Sequence, residues 1–104
     1  MFLHHMMKAI DRIAVYTSQG KRTFLDDSMI QDAVIRNLEV IGEAVKNLSP
    51  KIRSRHDDIP WRKISGMRDR VIHGYFHVNL RLVWNVVSSD LPPLRNRIKL
   101  MRDS

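Results

Sequence analysis

The chain has 104 residues, of which 43% are hydrophobic, and this composition predicts one folded domain over residues 1–104 rather than a disordered segment. It contains no cysteine, which excludes disulfides, thiolate metal ligands and cysteine nucleophiles. The formal net charge of +7 favours a polyanionic partner, and seven Lys or Arg against three Asp fall within residues 51–70. Charged residues interrupt the first segment, and no apolar window reaches the roughly 18 to 20 residues of a membrane span, so a cytoplasmic protein with no membrane partner is expected.

Apolar residues at helical spacing dominate the first half of the chain. They predict a helix over residues 2–17 and a longer one over about residues 24–48, with Thr23 as N-cap of the second. The longer helix carries a wide apolar arc, formed by Ile30, Ala33, Val34, Leu38, Val40, Ile41, Ala44, Val45 and Leu48. This helix is either central to its own bundle or shares part of the arc with a second subunit. Asn37 projects into the arc, where a structural hydrogen bond is more typical than a site role.

The second half of the chain predicts shorter helices. After residues 49–50, a basic connector over residues 51–58 leads to a third helix over about residues 60–73, with Gly74 as its C-terminal cap. Asn79 is predicted to cap a fourth helix. A break before a short fifth helix is predicted from Asp90, Pro92 and Pro93. Strand-like alternation is absent, so the predicted fold class is all-α, an antiparallel bundle of four to five helices.

The residues best suited to chemistry lie together near the end of the predicted third helix. His73 can accept or donate a proton near neutral pH, whereas Arg68 stays protonated and suits bidentate binding of phosphate. On a helix Asp69 and His73 would share a face, so Asp69 either orients His73 or solvates the surface. The structural interpretation of Tyr75, just beyond Gly74, is a ring that packs and a hydroxyl that is exposed.

The spacing of Arg68, His73 and Tyr75 resembles the signature of HEPN-domain ribonucleases. Flanking segments resemble the HepT-like branch of that superfamily: residues 31–44, Ile59-Pro60-Trp61, Val83-Trp84 and Asp90-Leu91-Pro92. The resemblance implies an all-helical HEPN-like fold and a metal-independent endoribonuclease that is the toxin of a toxin–antitoxin pair. One chain supplies a single good proton carrier within the motif, and a symmetric dimer would supply two. This agrees with the composite RNA cleft of a homodimer or higher oligomer that the resemblance implies.

The same resemblance implies roles for individual residues. Arg68 would stabilise phosphate, His73 would transfer the proton, and Tyr75 would be the hydroxyl that a nucleotidyltransferase antitoxin adenylylates. Family members often have Asn where Asp69 stands, and an added carboxylate near a phosphate site weakens RNA binding. The alternative is therefore a catalytically silent binding module, which serves a nucleotidyltransferase partner or holds a nucleotide.

Several remaining residues admit a functional and a structural interpretation. Basic residues in the connector and one after it either follow an RNA backbone or form a solvated surface. They are Lys51, Arg53 and Arg55 in the connector and Arg70 after it. No cofactor and no metal site are predicted, because Gly74 should break the helix between His73 and His77 and no third ligand is evident. Trp61 and Trp84 are predicted core anchors rather than stacking platforms for bases.

Overall fold

Two long helices, α1 and α3, form the centre of the fold in the computed structural model, which describes residues 2–67, 72–73 and 77–103. The elements in chain order are α1 (Phe2–Tyr16), α2 (Lys21–Asp26), α3 (Ser28–Lys46), α4 (Pro50–Arg55), α5 (Trp61–Ser65), β1 (Ile72–His73), β2 (His77–Val78), α6 (Leu80–Asn85), a π-helical turn (Val86–Asp90) and α7 (Leu91–Asp103). The predicted all-α class is confirmed. The difference from expectation is one antiparallel pair of two-residue strands, in which Ile72 pairs with Val78 and His73 with His77.

The predicted first helix is present, while the predicted second helix is two helices. The side chain of Asp27 caps α3, since its Oδ1 accepts hydrogen bonds from the backbone N–H groups of Met29 (2.9 Å) and Ile30 (3.3 Å). Thr23 lies inside α2 and is not the N-cap, so that prediction was wrong. The cap of α2 is Gly20, whose φ of 99° is a conformation that favours glycine.

The apolar arc of α3 is covered largely within the chain, because α1 packs along it. Val34, Leu38, Ile41 and Val45 are fully buried, as are the central residues of α1. Val40, at the edge of the arc, remains 37% exposed. These contacts fit a helix central to its own bundle and leave a small part of the arc uncovered.

The C-terminal helices follow one another without the predicted break. The predicted cap of α6 is confirmed, since Oδ1 of Asn79 accepts a hydrogen bond of 3.0 Å from the backbone N–H of Leu82. The chain then widens into the π-helical turn, and the N–H of Leu91 donates to the carbonyl of Val86, five residues earlier. The two prolines, 92–93, fall in the first turn of α7, where a missing N–H is tolerated.

An ion pair ties the last helix to the first. Nε of Arg95 in α7 donates a hydrogen bond of 2.7 Å to Oδ1 of Asp11 in α1. This hydrogen bond and the charge of Asp11 raise the pKa of Arg95. Both side chains are about half exposed, so the pair orients α7 more than it stabilises the fold. In the part of the chain that the structure describes, no helix is long and apolar enough to cross a membrane.

The region between α3 and α6 departs most from expectation. The predicted basic connector contains α4, and Oγ of Ser49 caps it by accepting a hydrogen bond of 3.2 Å from the N–H of Ile52. The predicted third helix over residues 60–73 is not continuous, because α5 ends at Ser65, Gly66 forms a turn and residues 72–73 are extended. His73 lies in β1 instead of on that helix, for its backbone pairs with that of His77.

Candidate functional site

The predicted functional centre lies between α5 and β2. Three of its residues, Arg68, Asp69 and Tyr75, lie outside the described residues, as does the RNA-binding candidate Arg70. The backbone of His73 is described and is extended in β1. The helical spacing that would place Asp69 and His73 on one face therefore does not apply, and that part of the sequence argument was wrong.

The start of this segment is fixed to the core by α5. Trp61, 7% exposed, donates from Nε1 to the carbonyls of Arg53 (3.2 Å) and His56 (3.0 Å). Ile64 and Met67 are also buried, so the last residue before Arg68 belongs to the core. Trp61 is thus a core anchor with a satisfied indole N–H, as predicted.

A glycine allows α5 to approach α3 closely. A Cβ atom at Gly42 would lie 3.2 Å from the carbonyl oxygen of Ser65, which is a tight contact with backbone. The absence of a side chain at position 42 therefore lets the end of α5 rest against α3 without displacing the Ser65 carbonyl. This contact positions the chain at Ser65, three residues before Arg68.

The end of the segment is fixed by the strand pair and by the Asn79 cap. His77 is opposite His73 and Val78 is opposite Ile72, so β1 and β2 run antiparallel. Asn79 then begins α6, whose Val83 is fully buried and whose Trp84 contacts Phe24 with ring centroids 5.6 Å apart. Trp84 is therefore also a core anchor.

The three described RNA-binding candidates are not equivalent. Lys51 and Arg55 are exposed on α4, which is the condition for contact with a nucleic-acid backbone. Arg53 is half-buried, and its Nε is buried with no hydrogen-bond partner among the described residues. Its backbone carbonyl also accepts from Trp61, so Arg53 is in part a structural residue.

A cavity of about 320 Å³ opens beside the start of the segment, between α5 and the beginning of α7. Its described lining combines apolar and charged side chains, namely Asp58, Ile59, Pro60, Lys63, Ile64, Met67, Ser89, Asp90, Leu91, Pro93, Leu94 and Arg97. Sequence reasoning did not identify this cavity. A signal was present, because the segments Ile59-Pro60-Trp61 and Asp90-Leu91-Pro92, which carry the family resemblance, both contribute to its wall.

A second, more polar cavity of about 460 Å³ lies where α5 ends against α3. Its described lining is Arg36, Glu39, Val40, Gly42, Glu43, Lys46 and Ser65. Four of these residues are charged, the acids Glu39 and Glu43 and the bases Arg36 and Lys46. Because Ser65 lines this cavity, a charged face of α3 borders the same chain segment that leads to Arg68.

Other candidate residues have structural or surface positions. Asn37 is buried, and its Nδ2 donates a hydrogen bond of 2.8 Å to the carbonyl of Ala33, which agrees with a structural role. His4 and His5 are exposed on α1. Within the described residues, no group of three or more His, Cys, Asp or Glu is placed to hold a metal ion.

Comparison with known proteins gives consistent matches over nearly the whole chain. The family model described as HepT-like, ribonuclease HepT-like, matches residues 6–101. The probable ribonuclease HepT of Thermococcus cleftensis is 40% identical over 102 residues, which cover 97% of this chain and 93% of that protein. A protein of Methanocaldococcus jannaschii named "Gamma-glutamylcyclotransferase and putative RNase" is 41% identical over 105 residues and 99% of this chain, which spans only 47% of that relative's length. No solved structure matches the chain.

Proposed function

The chain belongs to the HepT-like ribonuclease family, and we propose that it is an endoribonuclease that cleaves RNA without a metal ion. The observation that carries this proposal is the intact spacing of Arg68, His73 and Tyr75 in a chain that the family model matches over residues 6–101. The names of the relatives, among them a probable ribonuclease HepT, support ribonuclease activity. The basic charge of residues 51–70 supports RNA as the substrate.

The proposed reaction uses the 2′-hydroxyl of the RNA as an internal nucleophile. The 2′-oxygen forms a bond to phosphorus while the bond from phosphorus to the 5′-oxygen breaks, which leaves a 2′,3′-cyclic phosphate and a 5′-hydroxyl. A base removes the 2′ proton and an acid supplies a proton to the leaving oxygen, and His73 is the group in the motif that can do either. Arg68 donates to the phosphate oxygens as their negative charge grows.

We further propose that the active form contains two copies of the chain. The reaction needs a base and an acid, while the motif of one chain offers one histidine as proton carrier. Two copies related by a twofold axis would bring two histidines and two arginines to one composite cleft. Lys51 and Arg55, both exposed on α4, would then extend the basic surface along the RNA, with Arg70 as a further candidate.

The biological role in this proposal is that of a toxin controlled by a nucleotidyltransferase antitoxin. The partner would transfer AMP to the hydroxyl of Tyr75. The modification adds bulk and negative charge within two residues of His73, which would exclude RNA by steric overlap and by repulsion of its phosphates. The family resemblance at Tyr75 supports this role.

The test is RNA cleavage in EDTA by the wild-type protein and by the variants Arg68→Ala and His73→Ala. Matched controls are Arg62→Ala and His5→Ala, which remove exposed residues of the same types on α5 and α1. Cleavage by the wild type and both controls, but by neither motif variant, is expected. Equal activity in all five proteins would indicate a contaminating nuclease, and activity lost on chelation alone would contradict the metal-free reaction.

The second candidate function is a silent binding module, and Asp69 is the observation that favours it. A carboxylate one residue from Arg68 competes with phosphate for that guanidinium. If the carboxylate is what limits activity, Asp69→Asn should raise single-turnover cleavage of RNA several-fold. A wild-type protein and an Asp69→Asn variant that both bind RNA, while neither cleaves it, would favour the binding module.

A further inference from the structure

The cavity between α5 and α7 is built like a small-molecule site. Its volume of about 320 Å³ is at the lower end of the range for ligand pockets, which begins at about 300 Å³. Its floor is apolar, because Ile59, Ile64, Met67 and Leu94 are all buried. A flat apolar group can therefore lie on this floor without covering a charged side chain.

The rim of the cavity carries both donors and acceptors. Nη2 of Arg97 lies 2.7 Å from Oδ2 of Asp58 in an ion pair, and Lys63 contributes an exposed ammonium group. A carboxylate has about four acceptor positions, so this ion pair leaves Asp58 able to accept hydrogen bonds. Nε of Arg97 is buried and has no acceptor among the described residues, so the guanidinium also has unused donor capacity.

The position of the cavity connects it to the proposed cleavage site. Met67, which lines the cavity, is the residue directly before Arg68. The opposite wall is formed where the π-helical turn ends and α7 begins, at Asp90 and Leu91. π-helical turns inside helices are frequent at functional sites, and this one displaces the start of α7 relative to a regular helix.

We infer that this cavity is a nucleobase subsite of the RNA substrate and that it prefers bases with an exocyclic amino group. The inference rests on the proposed ribonuclease function and adds a substrate preference to it. The base lies on the apolar floor, its amino group donates to Asp58, and Lys63 faces the phosphates outside. A bare phosphate is a poor occupant, because Asp58 and Asp90 both place carboxylates at the rim.

The chemistry of the four bases makes the preference specific. Cytosine, adenine and guanine each carry an amino group that a carboxylate can accept from, whereas uracil carries a carbonyl oxygen at the position of the cytosine amino group. The uracil oxygen and the Asp58 carboxylate are both acceptors, so no hydrogen bond can form between them and they would repel each other. Cytosine and uracil are otherwise nearly equal in size, so the pair isolates the amino group as the variable.

The test is a titration of the wild-type chain with 5′-CMP and with 5′-UMP, followed by methyl NMR. The methyl signals of Ile59, Ile64 and Leu94 should move on addition of CMP, while those of Ile13 and Val34 in the α1–α3 core should not. We expect CMP to bind about 3- to 10-fold more tightly than UMP, the range for the net contribution of one ordinary hydrogen bond. Equal binding of the two nucleotides, or shifts confined to other methyl groups, would overturn the inference.

Two pairs of variants locate the contact. Asp58→Asn should remove most of the preference for CMP, while Asp57→Asn, an exposed neighbour outside the lining, should retain it. Ser89→Trp should fill the cavity and abolish the methyl shifts, while Ser88→Trp, which adds the same ring one residue away, should leave them. A CMP preference that survives Asp58→Asn would place the amino-group contact elsewhere and would overturn the assignment.

The inference and the proposed function fail in different ways. Metal-free cleavage that depends on His73, together with no nucleotide effect at the cavity, would reject the subsite and retain the ribonuclease. Shifts at the cavity without any cleavage would reject the ribonuclease and retain a nucleotide site. Methyl shifts that appear only with a protein partner, and with neither nucleotide, would show that the cavity is a protein contact and would overturn the inference.

Discussion

The α1–α3 pair and the segment between α5 and α6 are organised on opposite principles. In the α1–α3 pair, helices of 15 and 19 residues bury apolar faces that repeat every three or four positions. From α5 to α6, the described elements are two to six residues long, and individual contacts hold them, such as Gly42 against Ser65 and Trp61 against two carbonyls. Many weak contacts therefore specify the first region, and a few specific ones position the second.

Because of this difference, we expect the α1–α3 pair to determine stability and the region between α5 and α6 to determine the proposed activity. A long amphipathic helix gains free energy from every buried side chain, so it tolerates no functional charge on that face. The proposed site residues Arg68, His73 and Tyr75 fall instead in the part of the sequence between two short elements, α5 and α6. Substitutions in the two regions should accordingly affect different measurements.

The largest effect is expected for His73→Ala. Loss of a general acid or base reduces rates by about 10²- to 10⁴-fold, and cleavage of RNA in EDTA should fall by that amount. The free energy of unfolding in urea should change little, because the substitution keeps the backbone pairing with His77. A large loss of stability in this variant would mean that the segment supports the fold, which would remove the contrast between the two regions.

The opposite pattern is expected for Leu38→Ala in α3. Leu38 is fully buried between α1 and the rest of the core, so the truncation should lower the free energy of unfolding by about 2–5 kcal/mol. At temperatures where the variant remains folded, its cleavage rate should match that of the wild type. Val40→Ala, on the same helix but 37% exposed, is the matched control and should lower stability by less than about 1 kcal/mol. Equal destabilisation by both would contradict the assigned burial.

Periodicity predicted α1, the body of α3 and the all-α class because these depend on local sequence. It joined α2 to α3 because apolar residues continue across Asp27, whose extended backbone and capping hydrogen bonds to Met29 and Ile30 separate the two helices. It also broke the C-terminal helix at residues 92–93, since it could not foresee that a π-helical turn would accommodate the prolines.

The candidate site was predicted less completely, for a physical reason. The motif identified Arg68 and His73 by residue type and spacing, but the geometry inferred from a regular helix was wrong because His73 pairs with His77 instead. Strand pairing between short segments depends on the contacts around them and has no periodic signal over two residues. The cavity beside Met67 was missed for a similar reason, since its walls come from residues about 30 positions apart in the sequence.

Gly42→Ala should sharpen the comparison, because position 42 connects the two regions. Alanine favours the helical conformation of α3 by about 1 kcal/mol, while the added Cβ crowds the carbonyl of Ser65. The two effects oppose each other, so the free energy of unfolding should change by less than about 1 kcal/mol. The shifted end of α5 should nevertheless reduce cleavage by about 3- to 10-fold, since small displacements of catalytic groups are costly.

The matched control is Gly66→Ala, whose Cβ meets only an ordinary contact at 3.4 Å from the carbonyl of Arg62. An unchanged cleavage rate in Gly42→Ala would show that the position of α5 does not govern the site.

The smallest effect is expected for Asn79→Ala, at the other end of the segment. The variant loses the hydrogen bond from the N–H of Leu82 to the capping side chain, which should lower the free energy of unfolding by about 1 kcal/mol. Asn96→Ala, an exposed position within α7, is the control and should change stability by less than about 0.5 kcal/mol. Hydrogen exchange should separate this variant from Leu38→Ala, because fraying of α6 would raise exchange near Leu82 without raising it in α3. A uniform rise in hydrogen exchange across α3 and α6 would instead show that the two regions unfold as one unit. The difference between residues that stabilise the fold and residues proposed for chemistry would then come from their side chains and not from separate unfolding of the two regions.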